Sequence, residues 1–253
     1  MTPEVSRSLE TVARVRRLLV ATDFDGVLAP FVLDPADARP QDGTIESLTA
    51  LAAAPHTWAA VVSGRDLATL AGLTGLDDSA TTLIGSHGAE TSRGASGMIT
   101  PEESARLAAL RARVESAVAE QDPRIRLEHK PTAVVLHTRG LTGESMTIAT
   151  GIAEQAATGD GVSLLSGKGV HELSVVRADK GTALRALAAD LGADATVYLG
   201  DDVTDEHVFA VLGGEDLGIK VGPGETAATA RLADCTEAPA LLAALADLRT
   251  ASP

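Results

Sequence analysis

Cysteine and aromatic residues are scarce in this chain of 253 residues, which has one cysteine, Cys235, and only 2% Phe, Trp and Tyr. A single cysteine excludes a disulfide framework and a cysteine zinc site, and it fits the reducing cytoplasm. The low aromatic content removes the stacking platforms that proteins use to bind single-stranded nucleic acid. The core must therefore be built from Ala, Val and Leu, for which a hydrophobic content of 45% is sufficient.

Positive charge is also in short supply, with 21 Lys and Arg against 35 Asp and Glu and a formal net charge of −14. Such a charge repels nucleic acid and anionic membranes, so neither is an expected partner. No apolar run approaches the roughly 20 residues of a membrane span. The run before Asp23 has about five residues, against 7–15 in a signal peptide. We expect a cytoplasmic globular protein without an export signal or membrane anchor, and nothing in the sequence specifies its oligomeric state.

Short apolar runs alternate with Ala- and Leu-rich segments along most of the chain. This alternation is typical of an α/β fold, in which helices cover a Rossmann-like parallel sheet. The predicted strands are 18–22, 58–62, 82–85, 195–199 and 217–221, and the predicted helices are 43–54, 66–72, 180–191, 204–212, 225–232 and 238–248.

The segment from 95 to 173 breaks this alternation. It reads as a helix (101–120), two strands within 125–139, a helix (143–157) and two further strands, in the order αββαββ. We predict a second domain over 95–173, inserted into a core domain formed by 1–94 and 174–253. The Gly- and Ser-rich stretch TSRGASG (91–97) is predicted to be the hinge, with Gly94 and Gly97 as its flexible positions.

Polar residues follow four of the predicted strands, and the carboxyl ends of parallel strands form the ligand-binding edge of an open sheet. The four groups are Asp23 and Asp25; Ser63, Gly64 and Arg65; Ser86 and His87; and Asp201, Asp202 and Asp205. Any one group alone is typical of a turn or a helix cap. Four coincident groups, with Lys180 at the start of a predicted helix, predict a functional site instead.

The charges of these residues require a cation. Two carboxylates about 4 Å apart repel each other by about 4 kcal/mol at an effective dielectric constant near 20. The four carboxylates of Asp23, Asp25, Asp201 and Asp205 therefore do not all remain ionised in one crevice without compensation. Oxygen ligands with positions left for water and phosphate favour Mg²⁺, which we predict as the cofactor.

A magnesium site combined with carboxylates, a hydroxyl and an ammonium group indicates phosphoryl transfer through an aspartyl-phosphate. Asp23 is the predicted nucleophile. Asp25 is the predicted acid and base, which protonates the leaving group and then deprotonates the attacking water. Ser63 and Lys180 are predicted to bind the phosphate oxygens, with Gly64 and Arg65 lining the same substrate site.

Four motifs in this order resemble those of the haloacid dehalogenase-like phosphohydrolases. They are DFDGV (23–27), the serine in VVSGR (61–65), Lys180, and GDDVTDE (200–206). The resemblance implies that the backbone carbonyl of Asp25 also ligates the metal and that Asp201 is a third ligand. It implies that Asp205 ligates or orients the metal site, and that the αββαββ insertion is a cap domain.

Within that superfamily the chain resembles the trehalose-6-phosphate phosphatases, in the motifs GSHGAE (85–90), EHK (128–130), HTR (137–139), GKGVHEL (167–173) and GDDVTDE (200–206). The resemblance implies hydrolysis of a small-molecule sugar phosphate, trehalose 6-phosphate. It also implies substrate contacts at four cap positions and two core positions: Glu128, Lys130, Arg139 and Glu172, and His87 and Glu90. Carboxylates and a lysine form charge-assisted hydrogen bonds with sugar hydroxyls.

Several other functions are compatible with parts of the pattern. The nearest is another sugar-phosphate phosphatase with the same cap, acting on sucrose phosphate, glucosylglycerol phosphate or mannosylphosphoglycerate, and a phosphomutase is more distant. A signalling receiver domain needs only about half this length. A transferase that uses Asp-x-Asp to hold a metal-diphosphate leaves Ser63, Lys180 and the 200–206 motif unexplained.

Overall fold

The structure is a computed structural model, and it describes residues 1–77, 79–93, 101–167, 169–175 and 179–250. The chain divides into a first unit, Met1–Ser96 with Ala178–Pro253, and a second unit, Gly97–Arg177. Positions 94–97 of the predicted hinge, including both glycines, lie outside the described residues. The hinge therefore stays a prediction.

The first unit contains a seven-stranded sheet. Its strands are β1 (Leu18–Thr22), β2 (Thr57–Val62), β3 (Thr82–Gly85), β4 (Glu90–Thr91), β9 (Ala195–Gly200), β10 (Leu217–Val221) and β11 (Ala230–Leu232). Their order across the sheet is β11-β10-β9-β1-β2-β3-β4. All neighbours pair in parallel except β4, which runs antiparallel to β3 at one edge. After β1 the chain continues to β2, β3 and β4 on one side of β1, and it later returns to β9, β10 and β11 on the other side. Such a switch point places a crevice at the carboxyl end of β1.

Helices cover both faces of this sheet. They are α1 (Pro3–Val12), α2 (Thr44–Ala53), α3 (Leu67–Thr74), α6 (Lys180–Leu191), α7 (Val203–Phe209) and α8 (Ala238–Thr250). The central strand β1 is buried along its whole length. Leu18 and Val20 pack into one apolar cluster, and Leu19 and Ala21 pack into another on the opposite face. This two-sided burial explains why β1 is a continuous apolar run.

Local sequence signals set the ends of several helices. Asp66, Asp179 and Asp202 each accept hydrogen bonds from the first backbone N–H groups of α3, α6 and α7. Gly75 and Gly192 follow α3 and α6 in the left-handed conformation that commonly ends a helix. The loops that carry polar residues therefore begin and end at defined positions.

The second unit is an antiparallel four-stranded sheet with helices on one face. The elements of this unit are α4 (Pro101–Gln121), β5 (Arg126–Lys130), β6 (Ala133–His137), α5 (Gly143–Ala157), β7 (Ser163–Gly167) and β8 (Val170–Ser174). The strand order of the sheet is β5-β6-β8-β7. Val134, Leu136 and Leu173 pack with α4 and α5 into the core of this unit. The αββαββ order is the one that the sequence predicts.

Three elements differ from the sequence-based prediction. The predicted helix 225–232 is wrong: residues 230–232 form β11, which pairs in parallel with Ile219–Val221 of β10. The alanines of this segment favour a helix locally, but pairing with an available sheet edge outweighs that preference. Helix α1 and the two-residue strand β4 were not predicted. Helix α1 buries Val5, Leu9 and Val12 at helical spacing, a signal that the sequence analysis missed, whereas β4 is too short to show a period.

Arg249 of α8 links the helix to the amino-terminal end of the sheet. Its buried guanidinium donates hydrogen bonds to the carbonyls of Ala13 at 2.8 Å and Val15 at 2.7 Å, and to the Thr57 hydroxyl at 2.9 Å. Burial lowers the pKa of Arg249.

None of the helices in the described part of the chain has the length and apolar character needed to cross a membrane.

Candidate active site

Parallel pairing brings the predicted site residues of the first unit to one edge of the sheet. Thr22 lies opposite Val61 and Leu199 in the register of β1 with β2 and β9. Asp23, Ser63 and Asp201 follow β1, β2 and β9, so all three emerge at the same edge. The backbone N–H of Asp23 still donates to the carbonyl of Leu199 at 2.8 Å, which holds the first residue of the motif against β9.

Asp23 is buried and pairs with Lys180, which is buried as well. The Lys180 Nζ donates to Asp23 Oδ2 at 2.7 Å and to Asp205 Oδ1 at 2.9 Å. Burial alone would lower the pKa of Lys180, but the charges of Asp23 and Asp205 outweigh it and raise that pKa. Burial raises the pKa of Asp23, and Lys180 offsets part of the rise. The lysine therefore stays an ammonium beside the predicted nucleophile.

Asp205 is the centre of the hydrogen-bond network and is fully buried. Its Oδ1 accepts from Lys180 and from the Tyr198 hydroxyl at 2.7 Å, and its Oδ2 accepts from the N–H groups of Asp201 at 2.7 Å and Asp202 at 3.0 Å. Burial and the charge of Asp205 raise the pKa of Tyr198, so the phenol keeps its proton and donates. Four accepted hydrogen bonds favour an orienting role for Asp205 over direct metal ligation.

Asp201 is in the opposite situation, because its Oδ1 is buried and accepts no hydrogen bond from the described residues. Burial, together with the charges of Asp205 and Asp202, raises the pKa of Asp201 to about 7. Gly26 makes room for this carboxylate: a Cβ at Gly26 would lie 2.3 Å from Asp201 Oδ2. A buried carboxylate oxygen without a donor calls for a proton or a cation.

A cation fits the residues around this oxygen. Asp23, Asp201 and Asp205 each offer a carboxylate oxygen, and these atoms lie within 4.8 Å of one another. The donor set is all oxygen, which suits a hard divalent cation. Because the oxygens of Asp205 already accept four hydrogen bonds, Asp23 and Asp201 are the carboxylates best able to hold the ion.

Asp25 faces a different partner from Asp23. Arg65 donates two hydrogen bonds to the Asp25 carboxylate, from Nε to Oδ2 and from Nη2 to Oδ1, both at 2.7 Å. The Arg65 guanidinium carbon also lies 5.3 Å from the centre of the Phe24 ring, in a cation–π arrangement. Arg65, predicted to contact substrate, is in this structure bound to the predicted acid and base.

Ser63, Gly64 and His87 form a tight corner beside this pair. The Ser63 hydroxyl is buried and accepts from the Arg65 N–H at 3.2 Å, and the Ser63 carbonyl accepts from the His87 N–H at 2.9 Å. A Cβ at Gly64 would lie 2.5 Å from the imidazole of His87, so any larger residue there would have to displace that ring. Ser86 and His87 adopt φ angles of 48° and 55°, an uncommon strain in two successive non-glycine residues.

Glu90 supports the loop rather than projecting from it. One of its carboxylate oxygens accepts from the Leu67 N–H at 2.8 Å and the other from the Ser86 hydroxyl at 2.9 Å. It therefore ties the first turn of α3 to the strained loop of Ser86 and His87. A substrate contact at Glu90 stays a prediction, and both oxygens already have protein partners.

In the second unit, the strand register places Glu128, Lys130 and Glu172 on the sheet face away from the helices. Lys130 Nζ donates to Glu172 Oε2 at 2.8 Å, with little of either side chain exposed. Glu128 pairs with His137 on the same face, at 2.7 Å between Oε2 and Nε2. Arg139 is exposed in the following loop, against Gly169.

Sequence analysis missed Lys220, Tyr198 and the role of His137 as the partner of Glu128. Lys220 is buried in β10, and its Nζ donates to the carbonyl of Asp201 at 2.7 Å. The available signal was a lysine inside the apolar run LGIKV (217–221), because a charge in a buried strand requires a specific partner. Tyr198 offers the same kind of signal, as the only tyrosine in the chain, within β9.

Similar folds occur among solved structures. The C-terminal domain of the Candida albicans trehalose-6-phosphate phosphatase superposes with a TM-score of 0.79 at 22% identity, over 96% of this chain and 97% of that domain. A haloacid dehalogenase-like hydrolase from Bacteroides thetaiotaomicron gives a TM-score of 0.63 at 13% identity, over 90% and 98% of the two chains. The fold is thus that of the haloacid dehalogenase-like hydrolases.

Sequence comparison gives a narrower assignment. The model of the trehalose-phosphatase family matches residues 21–236. The trehalose-phosphate phosphatase of Mycobacterium marinum is 33% identical over 222 residues, which cover 83% of this chain and 55% of the relative. This chain belongs to the trehalose-phosphatase family.

The chain spans only part of the curated relatives that it matches. It corresponds to 55% of the M. marinum protein and to 18% of a Mycobacterium tuberculosis protein described as an uncharacterized glycosyl hydrolase, which is 33% identical over 252 residues. A bifunctional trehalose-6-phosphate synthase/phosphatase of Thermoproteus tenax is 31% identical over 231 residues, with 31% of its length covered. The matching region therefore occurs within longer proteins.

Proposed function

We propose that the chain is a magnesium-dependent phosphatase that hydrolyses trehalose 6-phosphate to trehalose and phosphate through an aspartyl-phosphate at Asp23. The observation that carries the proposal is the buried Asp23 carboxylate, 2.7 Å from Lys180, beside an Asp201 oxygen without a hydrogen-bond donor in the described residues. Membership of the trehalose-phosphatase family supports the substrate.

In the first step, the Asp23 carboxylate attacks phosphorus and the bond between phosphorus and the sugar oxygen breaks. Asp25 gives a proton to that oxygen, so the sugar leaves as a neutral hydroxyl compound. Arg65 orients Asp25 as a carboxylate through the two hydrogen bonds described above, so one of these bonds would open when Asp25 takes up the proton that it delivers. Lys180 places a positive charge beside the oxygens of the transferring group, where negative charge accumulates.

In the second step, water attacks the phosphorus of the aspartyl-phosphate. Asp25, now a carboxylate, removes a proton from the water, the bond between phosphorus and the Asp23 oxygen breaks, and inorganic phosphate is released. The Asp23 carboxylate is regenerated. The same residue thus serves as acid and then as base, which requires it to stand apart from the nucleophile, and Asp25 does so in its pair with Arg65.

Asp23 and Asp201 would hold the magnesium ion, with the backbone carbonyl of Asp25 as a further ligand implied by the family motif. When bound, such an ion supplies positive charge that offsets the dianionic phosphate and the neighbouring carboxylates. Asp205 would orient the loop that bears Asp201, because its Oδ2 accepts from the N–H groups of Asp201 and Asp202.

The second unit is the proposed cap, and its open sheet face is the proposed sugar-binding surface. Glu128, Lys130 and Glu172 share this face and are already paired with charged or titratable partners. Carboxylates and an ammonium group can exchange such pairs for hydrogen bonds to sugar hydroxyls. Cap closure over the substrate would exclude bulk water during the first step.

The test is phosphate release with Mg²⁺ from trehalose 6-phosphate, sucrose 6-phosphate, glucose 6-phosphate and para-nitrophenyl phosphate, with Asp23→Asn as the blank. The proposal expects a strong preference for trehalose 6-phosphate that is lost in Asp23→Asn. Preference for another sugar phosphate would keep the chemistry and replace the substrate by one of the alternatives. No release from any of the four would reject hydrolysis and favour a phosphomutase.

A further inference from the structure

A buried lysine outside the proposed catalytic set lies directly behind the loop that carries Asp201. Lys220 belongs to β10, a strand that is buried at every position. An ammonium group in such surroundings is strongly unfavourable unless each of its donors finds a partner. Its partners therefore indicate what the lysine is for.

Among the described residues, the polar partners of Lys220 Nζ belong to the loop after β9 and the start of α7. They are the carbonyl of Asp201 at 2.7 Å, the carbonyl of Asp202 at 3.5 Å and Glu206 Oε1 at 3.3 Å. The contact with the Asp201 carbonyl is the short hydrogen bond of the three, the contact with the Asp202 carbonyl is long, and the contact with Glu206 is an ion pair. Within the described part of the chain, Lys220 Nζ forms no hydrogen bond or ion pair with Asp23, Lys180 or the Asp201 carboxylate, although its charge acts to lower the pKa of Asp201.

The loop is thereby held from two sides. The Asp205 carboxylate accepts hydrogen bonds from the N–H groups of Asp201 and Asp202, while Lys220 donates to the carbonyls of the same two residues. Both backbone polar groups of Asp201 thus have charged partners. The Asp201 side chain, whose Oδ1 has no donor among the described residues, is then the group of this residue left to bind an ion.

Glu206 connects Lys220 to the loop after β10. While Oε1 faces Lys220, Oε2 accepts from the Ala227 N–H at 2.9 Å and the Thr226 hydroxyl at 3.2 Å. The ion pair therefore joins three segments: the Asp201 loop with α7, strand β10, and the turn at 226–227. A change at Lys220 would loosen all three.

We propose that Lys220 is a positioning residue that sets the affinity of the Asp201 site for a divalent cation, without contacting cation or substrate. The proposal rests on the metal site of the proposed function and not on the identity of the sugar. Residues that orient metal ligands typically change metal affinity by 10- to 100-fold when they are replaced. We expect a loss of that size in Lys220→Met, which keeps the length of the side chain and removes the charge.

The experiment is a titration of the whole protein with Mn²⁺, followed by electron paramagnetic resonance of the free ion, so that no catalytic turnover enters the measurement. The matched control is Arg249→Met, because Arg249 is also a buried cation that binds main-chain carbonyls, at the opposite end of the sheet. We expect a 10- to 100-fold higher Kd for Mn²⁺ in Lys220→Met. The Arg249→Met control should stay within about twofold of the wild type, since its losses lie outside the Asp201 loop.

A folded Lys220→Met protein with wild-type Mn²⁺ affinity would overturn the proposal, and so would an equal loss in Arg249→Met. If Lys220→Met does not fold, Lys220→Gln carries the test. Its amide can replace at most one loop contact and loses the ion pair with Glu206, so we expect a smaller loss of Mn²⁺ affinity, and wild-type affinity would overturn the proposal. Wild-type protein that binds no Mn²⁺ would reject this inference together with the metal site. Wild-type protein that binds Mn²⁺ but does not hydrolyse trehalose 6-phosphate would reject only the proposed substrate.

Discussion

Arg65 holds Asp25 in a two-point ion pair, with both nitrogen-to-oxygen distances at 2.7 Å. The two residues are 40 positions apart and follow neighbouring parallel strands. This pairing suggests a task for Arg65 other than the substrate contact that the sequence predicts, and that contact stays a prediction. The ion pair would fix the direction from which Asp25 delivers its proton.

Replacing Arg65 by Lys should separate these two tasks, since lysine keeps the charge but loses the two-point geometry. We expect kcat/KM for trehalose 6-phosphate to fall about 10- to 100-fold, because the sugar oxygen is a poor leaving group that needs a well-placed acid. For para-nitrophenyl phosphate we expect a fall of less than about threefold. Its leaving group departs without a proton, and kcat/KM covers only the steps up to the phosphorylated enzyme.

Both substrates carry the same phosphate, which makes the comparison decisive. If Arg65 binds that phosphate instead of positioning Asp25, the two values of kcat/KM will fall by the same factor. Asp25→Asn serves as the reference for complete loss of the acid.

Asp205 is expected to carry more of the stability than its hydrogen-bonding partner Tyr198. Asp205→Asn removes the charge that faces Lys180 and turns one acceptor into a donor, which should lower the free energy of unfolding by about 3–5 kcal/mol. Tyr198→Phe removes one hydrogen bond and should cost about 1–2 kcal/mol. Urea denaturation of both variants measures the difference, and equal losses would contradict the central role of Asp205.

The pH dependence of stability should reveal Asp201 when a chelator keeps the site free of metal. Its pKa is raised to about 7 from an ordinary 3.8, so between these values the folded state binds a proton that the unfolded state does not. The stability gained from this proton is fully present below about pH 4 and is lost as the pH rises through 7. At pH 8, Asp201→Asn should therefore be more stable than the wild type.

The shift corresponds to at most about 4 kcal/mol, and partial exposure of the side chain reduces the expected gain to about 1–3 kcal/mol. Thermal melts of both proteins at pH 5 and pH 8 provide the measurement. Saturating Mg²⁺ should reverse the order at pH 8, because only the wild type has the carboxylate ligand. A stability difference that does not change with pH would contradict the assignment of the raised pKa to Asp201.

Glu172 should affect recognition of the sugar and not the chemistry. Glu172→Gln weakens its bond to Lys130 and any charge-assisted bond to a sugar hydroxyl, so we expect the KM for trehalose 6-phosphate to rise about 10-fold or more. The KM for para-nitrophenyl phosphate should not change. Glu154→Gln, on the exposed face of α5, is the matched control; a similar effect there would contradict a specific role for Glu172.

Much of the first unit could be predicted because its strands are strong local signals. β1 is a continuous apolar run followed by Asp23, β10 is apolar except for Lys220 and is followed by a glycine, and α6 begins directly after the capping residue Asp179. These features depend on a few adjacent residues. The same holds for the positions of Asp23, Ser63 and Asp201, since each follows such a strand.

The pairing of side chains could not be predicted in the same way. Nothing near Arg65 in sequence shows that it binds Asp25, and nothing near Lys220 shows that it binds the carbonyl of Asp201, 19 positions away. These partners depend on strand order and register, which only the folded sheet defines. The predicted helix at 225–232 was wrong for the same reason, because the local preference for helix is outweighed by the pairing of residues 230–232 with an available sheet edge.

The central claim is that Asp23 is phosphorylated during turnover, and the most direct measurement is an acid quench of the enzyme with trehalose 6-phosphate and Mg²⁺, followed by peptide mass analysis. A second sample uses Asp25→Asn with para-nitrophenyl phosphate, a reactive phosphoryl donor whose leaving group needs no acid. Because this variant lacks the base for the second step, it should accumulate the intermediate. The account predicts one phosphoryl group on the peptide that contains Asp23, absent from Asp23→Asn. Turnover by the wild type with no phosphorylated Asp23 peptide in either protein, or with the phosphoryl group on another residue, would contradict it.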